Sequence, residues 1–153
     1  MSLWYRAHRK SDVGLVFSGD GGLYVNGRWN HMGKRAVYCS SSIALCTLEW
    51  LGHNGLSVSG FSYFRFSIDV PDALITSFAK ANLPPNWDST PATDVSRNFA
   101  DTQLFRVGGP LAIAVPSVVV PEEFNLVLNP LHAEFRTVVA SVNALGIHEA
   151  PNR

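Results

Sequence analysis

Short alternations of apolar and polar residues mark the strands that this sequence predicts. The clearest is FSYFRFSIDV, residues 61–70, whose even-numbered positions from 64 to 70 are all apolar. A period of two is typical of a strand with one buried face, and the proline that follows ends it. Four further strands are predicted: an edge strand at residues 3–8, a short strand at 36–39, and buried strands at 111–115 and 124–128.

Two segments predict helices that begin at a capping residue. The serines at 40–42 precede the largely apolar run IALCTLEWLGH, so a helix is expected from about the last of these serines to His53. Thr93 or Asp94 is expected to cap a second helix that extends to about Phe105. Both predictions rest on hydroxyl or carboxylate side chains that satisfy the free N–H groups of a first helical turn.

Glycine and proline divide these elements. Residues 14–30 contain five glycines and are expected to be a loop, and residues 83–93, with three prolines, to be an exposed loop. Residues 131–142 fit a helical period, but their Val and Thr content also suits a strand, so both alternatives remain open. Strands and helices that do not alternate regularly predict one compact α+β domain over residues 1–153, with mixed, mostly short strands.

Glu49 and His53 are the polar exceptions on the helix predicted after the serines. At about 100° per residue they fall within about 40° of each other, while apolar residues cover most of the remaining surface. One interpretation is a narrow strip that faces water, where the pair contributes only a few tenths of a kcal/mol. The other is a cleft wall, where the carboxylate and the imidazole orient a substrate hydroxyl or stabilise a developing cation.

Arg28 and Tyr38 are candidate cleft residues on the segments before that helix. Arg28 follows a glycine-rich stretch, where a guanidinium can bind a phosphate or carboxylate through two hydrogen bonds, or simply stack on the neighbouring Trp29. The ring of Tyr38, at the end of a strand, suits either a cleft wall or the core. The sequence contains no GxGxxG, GxxxxGK[ST], GxSxG or HExxH motif, so a Rossmann dinucleotide site and a zinc site are not expected.

Composition excludes several classes of partner. Lys and Arg number 12, as do Asp and Glu, and no basic patch stands out, so direct nucleic-acid binding is not expected. No apolar run approaches the roughly 18 residues of a spanning helix, and the amino terminus lacks a secretory signal, which favours the cytoplasm and no membrane association. Cys39 and Cys46 lack CxxC spacing and are expected to be reduced, buried thiols, with Cys46 a weak candidate for a nucleophile.

Several short motifs, taken in order, resemble those of the RES-domain family, which is named for its Arg, Glu and Ser. The motifs are GRWN, AVYCS, LEWLGH, PSVVVP and NPLH, and they contain Arg28, Tyr38, Glu49 with His53, Ser117, and Asn129 respectively. The resemblance implies a toxin of a bacterial toxin–antitoxin pair that consumes NAD. It also implies a fold similar to ADP-ribosyltransferase toxins, which hold NAD in a cleft and not on a Rossmann sheet.

The resemblance also implies a role for individual residues. Arg28 would bind the NAD phosphates or ribose, Tyr38 would stack on nicotinamide, and Glu49 would contact a hydroxyl of the nicotinamide ribose. His53 and Ser117 would complete the pocket. The catalytic set is thus expected to comprise Glu49, Arg28, Tyr38 and His53.

Two further residues are expected to contact NAD by the same resemblance. Arg6, in the opening WYRAH, matches an early arginine of the family, although a structural ion pair explains it equally well, and Asn129 belongs to the NPLH segment. NAD is expected as a substrate, without a metal.

The resemblance leaves the ADP-ribose acceptor open between a target protein, water and phosphate. It implies a cognate Xre-like antitoxin that blocks the cleft. The alternative from another class is a non-catalytic module that binds a nucleotide or a partner.

Overall fold

The fold is built on one seven-stranded sheet, described here from a computed structural model that covers residues 2–54 and 62–149. The strands, in chain order, are β1 Ser2–His8, β2 Val37–Ser40, β3 Ser62–Val70, β4 Ile75–Ser77, β5 Ala112–Pro116, β6 Phe124–Leu128 and β7 Asn143–Glu149. Their order across the sheet is β4-β5-β6-β2-β1-β3-β7, and among these described strands only β4 and β5 pair in parallel. The predicted mixed α+β domain is therefore confirmed.

Five α-helices occur among the described residues, in chain order α1 Val13–Val16, α2 Gly21–Tyr24, α3 Ile43–Asn54, α4 Asp94–Gln103 and α5 Phe135–Val139. Two 3₁₀ turns, Asp72–Leu74 and Lys80–Asn82, flank β4. The predicted caps are present: Ser42 Oγ accepts from Leu45 N at 3.0 Å, and the Thr93 side chain accepts from Val95 N at 3.3 Å. No helix in the described part of the chain is both long and apolar enough to cross a bilayer.

Two layers of side chains cover the two faces of the sheet. One face packs Phe66, Ile68 and other strand residues against α1 and α5. On the other face, Ile113 and Val127 pack against Trp29, Trp87 and the α4 side. Helix α3 lies over β1 and β2 on this second face, because Cys46 packs with Ala7 of β1. The face under α3 and the Trp29 layer is the one that carries the candidate site.

Three predictions about elements were wrong or incomplete. The segment at residues 3–8 does form a strand, but β1 lies inside the sheet between β2 and β3 and not at an edge. Residues 14–30 are not all loop, since α1 and α2 are single short helical turns. The alternative at residues 131–142 resolves into the short helix α5, whose buried residues are Phe135 and Val138.

The proline-rich segment at residues 83–93 is a loop, as predicted, but it is not exposed throughout. Leu83 and Trp87 are buried, and the Trp87 ring stacks on Trp29 at a centroid distance of 5.9 Å. The sequence pattern missed this because two isolated apolar residues show no period. The buried tryptophan fixes the loop against the segment that contains Arg28.

Candidate active site

A fixed carboxylate forms the centre of the site. Glu49, on α3, accepts two hydrogen bonds on the same oxygen, Oε1: one from Ser117 Oγ at 2.8 Å and one from Asn125 Nδ2 at 2.9 Å. Asn125 lies in β6 opposite Ser40 of β2, and Ser40 Oγ donates to Asn125 Oδ1 at 3.2 Å. The amide is therefore oriented by one strand and in turn orients the carboxylate of the helix.

The hydroxyl of Ser117 donates its proton in a hydrogen bond to Glu49. Ser117 follows β5 and is 1% exposed. Its Oγ accepts from Val119 N at 3.0 Å and from Val120 N at 3.1 Å. A serine hydroxyl has one proton and two lone pairs, so the two backbone donors leave the proton for Glu49 Oε1.

The second oxygen of Glu49 remains available for a ligand. Within the part of the chain that the structure describes, Oε1 accepts both hydrogen bonds and no group donates to Oε2. A carboxylate has about four acceptor sites, so Oε2 keeps its full capacity to accept from a hydroxyl or to face a cation. Two neutral donors on Oε1 orient the group without neutralising its charge.

Tyr38 is fixed by the loop that contains Arg28. Its hydroxyl donates to Asn30 Oδ1 at 2.6 Å and accepts from Trp29 N at 3.1 Å. Asn30 is 1% exposed and donates to the carbonyls of Val25 and His31. Burial raises the pKa of Tyr38 well above its ordinary value, so the ring stays a neutral phenol with a defined orientation.

Arg28 is held by the proline-rich loop. Its Nη1 donates to Trp87 O at 3.0 Å and to Ser89 O at 2.9 Å. Burial lowers the pKa of Arg28, and the negative charge of Glu49 is the largest influence that opposes this. Glu49 and Arg28 therefore act on each other electrostatically across the same face of the sheet. Such a pair offers a cation and an anion to a ligand that has a phosphate and a ribose.

The structure does not bring every predicted residue to this site. Arg28, Tyr38, Glu49 and Ser117 lie on one face of the sheet. Glu49 is hydrogen-bonded to Ser117, and it influences Arg28 through its charge. Tyr38 is fixed separately, by the loop that contains Arg28. His53 is exposed near the carboxyl end of α3. The predicted polar strip on that helix is therefore divided, with Glu49 turned to the sheet and His53 to solvent.

Arg6 lies on the opposite face of the sheet. Tyr5 pairs with Ser40, which shares the face of Asn125, and successive strand residues point to opposite faces. The Arg6 guanidinium donates from Nε to Val16 O at 2.9 Å and from Nη1 to Tyr38 O at 2.8 Å. These bonds stabilise the backbone behind the site.

Asn129 lies at the far end of β6 from Asn125. Its Oδ1 accepts from Leu131 N at 3.0 Å, and its own N–H donates to Leu111 O at 2.8 Å. The side chain thus forms a local turn after the strand. These contacts do not test whether Asn129 binds NAD, so that role stays a prediction.

Sequence reasoning missed two asparagines that organise the site, Asn30 and Asn125. The signal for Asn125 was a single amide inside the apolar strand FNLVL, where an uncompensated polar group is costly. Asn30 was the last residue of GRWN, but its link to Tyr38 depends on tertiary contact. The spacing of residues along the chain predicts neither the bond between Asn125 and Glu49 nor the bond between Asn30 and Tyr38.

The cysteines are not reactive groups of this site. Both are free and buried, and burial raises the pKa of Cys39 to about 12 and that of Cys46 to about 11. A thiol must ionise to act as a nucleophile, so Cys46 is a core residue. Among the described residues, no group of three or more His, Cys, Asp or Glu side chains is placed to hold a metal ion.

Comparison with known proteins defines first the class and then the family. One chain of a crystal structure of the M. tuberculosis MbcT–MbcA toxin–antitoxin complex superposes with a TM-score of 0.63 at 14% identity, over 98% of this chain and 84% of that one. By its fold, this protein is therefore a single-sheet α+β domain of the same class as that chain. The model of the RES domain matches residues 3–148, and the chain belongs to the RES domain family.

Two relatives with greater sequence similarity cover 80% or more of the chain. A protein named Toxin Res from Yersinia enterocolitica is 35% identical over 92% of this chain and 92% of its own length. A protein named Prs ADP-ribosylating toxin from Sphingobium sp. is 38% identical over 80% of this chain and 78% of its own length. The resemblance stated from the short motifs is thus confirmed.

Proposed function

We propose that this protein is the toxin of a toxin–antitoxin pair and that it binds NAD and cleaves the bond between nicotinamide and ribose. The observation that carries the proposal is the carboxylate of Glu49, fixed through Oε1 by Ser117 and Asn125 while Oε2 is left for a ligand. The names of the relatives, which include an ADP-ribosylating toxin, support the same reaction class.

The proposed chemistry requires charge stabilisation more than proton transfer. Cleavage of an N-glycosidic bond builds positive charge on the ribose, as in the oxocarbenium-like state of glycoside hydrolysis. Nicotinamide leaves from NAD as a neutral molecule, so no strong acid is needed. Glu49 would stabilise the ribose cation and accept a ribose hydroxyl, and its fixed orientation would reduce the cost of reorganisation during the reaction.

The other residues would position the substrate. Arg28 would bind a phosphate or ribose oxygen with the N–H groups that Trp87 and Ser89 do not use, and Tyr38 would pack its neutral ring against nicotinamide. Ser117 would act through Glu49. His53 would contribute only if the ligand extended to the exposed end of α3, so we expect its substitution to have the smallest effect of the five.

We propose a protein side chain as the first acceptor to test, with water and phosphate as the others, because one relative is named an ADP-ribosylating toxin. The proposal places the protein in the cytoplasm, where NAD is available. It also includes an antitoxin that covers the cleft, supported by the toxin–antitoxin complex that shares this fold, with an Xre-like partner as the specific expectation.

The decisive experiment measures nicotinamide release from NAD by the purified protein and follows the adenylate-labelled product. Three reactions contain buffer alone, inorganic phosphate, or cell lysate, and we expect release in at least one, with label on protein in the third. Glu49→Gln preserves the shape and hydrogen bonds of the side chain but removes its charge, so release should fall by about 100-fold or more.

Glu134→Gln is the matched control, because Glu134 is an exposed carboxylate at the start of α5. It should leave the rate unchanged. Folded protein that binds NAD without releasing nicotinamide in any of the three reactions would favour the non-catalytic binding module. Equal rates for Glu49→Gln and Glu134→Gln would contradict the assigned role of Glu49.

A further inference from the structure

A cavity lies at the end of β1, and Glu49 is not among the residues that line it. It has a volume of about 350 Å³. One wall is formed by Arg6, His8, Arg9 and Lys10. The other includes residues 18–21, which comprise part of the turn after α1 and the first residue of α2. Because Arg6 points to the face of the sheet opposite Tyr5 and Ser40, this cavity does not belong to the proposed NAD cleft.

Arg6 is a partly buried cation whose charge is not matched by a carboxylate. Nε and Nη1 donate to two backbone carbonyls, which uses two of the five N–H groups of a guanidinium. In the described part of the chain, no carboxylate lies within ion-pair distance of it. Burial lowers the pKa of Arg6, which reflects the cost of holding this charge away from water. An anion in the cavity would offset that cost.

The pKa of His8, which also lines the cavity, responds to the positive charge around it. Its Nδ1 accepts from Lys10 N at 2.9 Å, so the neutral imidazole has its proton on Nε2. Burial, followed by the positive charges of Arg6, Arg9 and Lys10, lowers the pKa of His8 to about 4. One imidazole therefore lies within the field of three cations and still offers an N–H donor.

In the described part of the chain, Arg6 and Lys10 form no ion pair with a carboxylate. Asp20 is the single acidic side chain among the described lining residues, and its carboxylate is already paired with Arg35. The remaining lining is neutral and includes Ser18, Gly19 and Leu15. The cavity thus combines the unmatched charges of Arg6 and Lys10 with neutral hydrogen-bonding groups and a small apolar wall.

We propose that this cavity binds a phosphate group, either as inorganic phosphate or as the phosphate of a small polyol phosphate. A phosphate dianion matches a site with several cations better than a monoanion does, and Arg6 can bind two of its oxygens. The volume is at the lower end of small-molecule sites, so a short polyol chain fits beside the phosphate. This site is separate from any phosphate that serves as an acceptor at Glu49.

The test follows the imidazole of His8 by NMR as inorganic phosphate or glycerol 3-phosphate is added, with chloride at matched ionic strength as the reference. Both phosphates should raise the pKa of His8 by about one unit or more in a saturable manner, because the bound dianion offsets the cations. His31, which lies beside α4, should not respond. Tighter binding of glycerol 3-phosphate identifies a polyol phosphate, and equal or weaker binding identifies free phosphate.

Lys10→Gln tests the cavity wall with little risk to folding, because Lys10 is exposed. It should weaken phosphate binding by about threefold or more, whereas Lys80→Gln, an exposed control, should not. A change at His8 that chloride reproduces, or equal phosphate affinity in the two variants, would overturn the proposal. The measurement contains no NAD and also applies to Glu49→Gln, so its outcome is independent of the proposed catalysis.

Discussion

Asn125 and Ser117 bind the same oxygen of Glu49, and this shared contact sets what each residue contributes. Neither donor is charged, so together they orient the carboxylate without neutralising it. Asn125 is itself oriented by Ser40, which gives a continuous chain of hydrogen bonds from β2 through β6 to α3. The precision of the site therefore depends on side chains that need not touch a substrate.

Asn125→Ala should reduce catalysis through Glu49 and not through substrate binding. Without the amide, Glu49 Oε1 keeps only the Ser117 bond, and the carboxylate samples other orientations. We expect kcat for nicotinamide release to fall by about 10- to 100-fold, with KM changed much less. The matched control is Asn82→Ala, at an exposed position. An increase in KM with unchanged kcat would show that Asn125 contacts NAD itself.

His8 predicts a specific loss of stability in mild acid. Its pKa is about 4 in the folded protein, mainly through burial, and about 6.5 when unfolded. The unfolded state therefore binds more protons between these values, so the contribution of His8 is complete above about pH 6.5 and is lost as the pH falls toward 4. After allowance for solvent screening, the loss is about 1 kcal/mol.

Urea unfolding of the wild type and His8→Asn at several pH values checks this prediction. The free energy of unfolding should fall more for the wild type between about pH 6.5 and pH 4, since only the wild type gains this proton on unfolding. Parallel pH profiles would contradict the assigned burial of His8. Phosphate, if it binds as proposed, should reduce the difference between the profiles.

At the scale of elements, the GRWN turn is shaped by close packing against β2. A Cβ on Gly27 would lie 2.5 Å from Tyr38 Oη and closer still to Asn30 Oδ1. Arg97 of α4 also donates from Nε to the carbonyl of Gly27 at 2.8 Å. The turn that contains Arg28 is thus fixed by a strand on one side and by a helix on the other.

Gly27→Ala should therefore displace the turn and separate Tyr38 from Asn30. We expect a loss of about 2 kcal/mol or more in the free energy of unfolding, because a buried hydrogen bond and local packing are disturbed together. Activity should fall with it, since Arg28 is the next residue. Gly21→Ala is the control, as its Cβ would meet no atom within 4 Å. Equal stability of the two variants would contradict the packing described.

Local patterns predicted most elements but not how they meet. The alternation in β3, the apolar run of β6 and the caps of α3 and α4 all depend on neighbouring residues, and all four predictions were confirmed. The interior position of β1 was missed because strand order depends on long-range pairing. Contacts such as Arg28 with Trp87 O were unpredictable for the same reason.

The candidate site shows the same division between local and long-range information. The resemblance to the RES-domain family implied Arg28, Tyr38, Glu49 and Ser117 as site residues, and the structure places all four on one face. The separation of Arg6 from them follows from strand parity, which requires the register between Tyr5 and Ser40. Sequence alone gives the alternation within a strand but not the face that it presents to another strand.

At the scale of the whole molecule, the proposed NAD cleft joins parts that are distant in sequence. Glu49 comes from α3, Ser117 follows β5, and Arg28 is held by the loop at residues 83–93. A ligand that contacts Arg28 and Glu49 together therefore binds the folded chain and not the unfolded one. Such a ligand must raise the stability of the whole domain.

Glu49→Gln should accordingly gain thermal stability when NAD is added, since this variant retains the cleft and consumes NAD more slowly by about 100-fold or more. At about a hundredfold excess of NAD over Kd, linkage gives about 2.7 kcal/mol, which corresponds to an increase in Tm of about 5 to 10 °C for a domain of this size. A second change, Arg28→Lys, retains the positive charge but removes the planar guanidinium, and it should abolish most of the increase. Differential scanning calorimetry of the two proteins with and without NAD measures both effects. An increase that survives Arg28→Lys unchanged would place NAD elsewhere, and no increase at any NAD concentration would remove the cleft as its binding site.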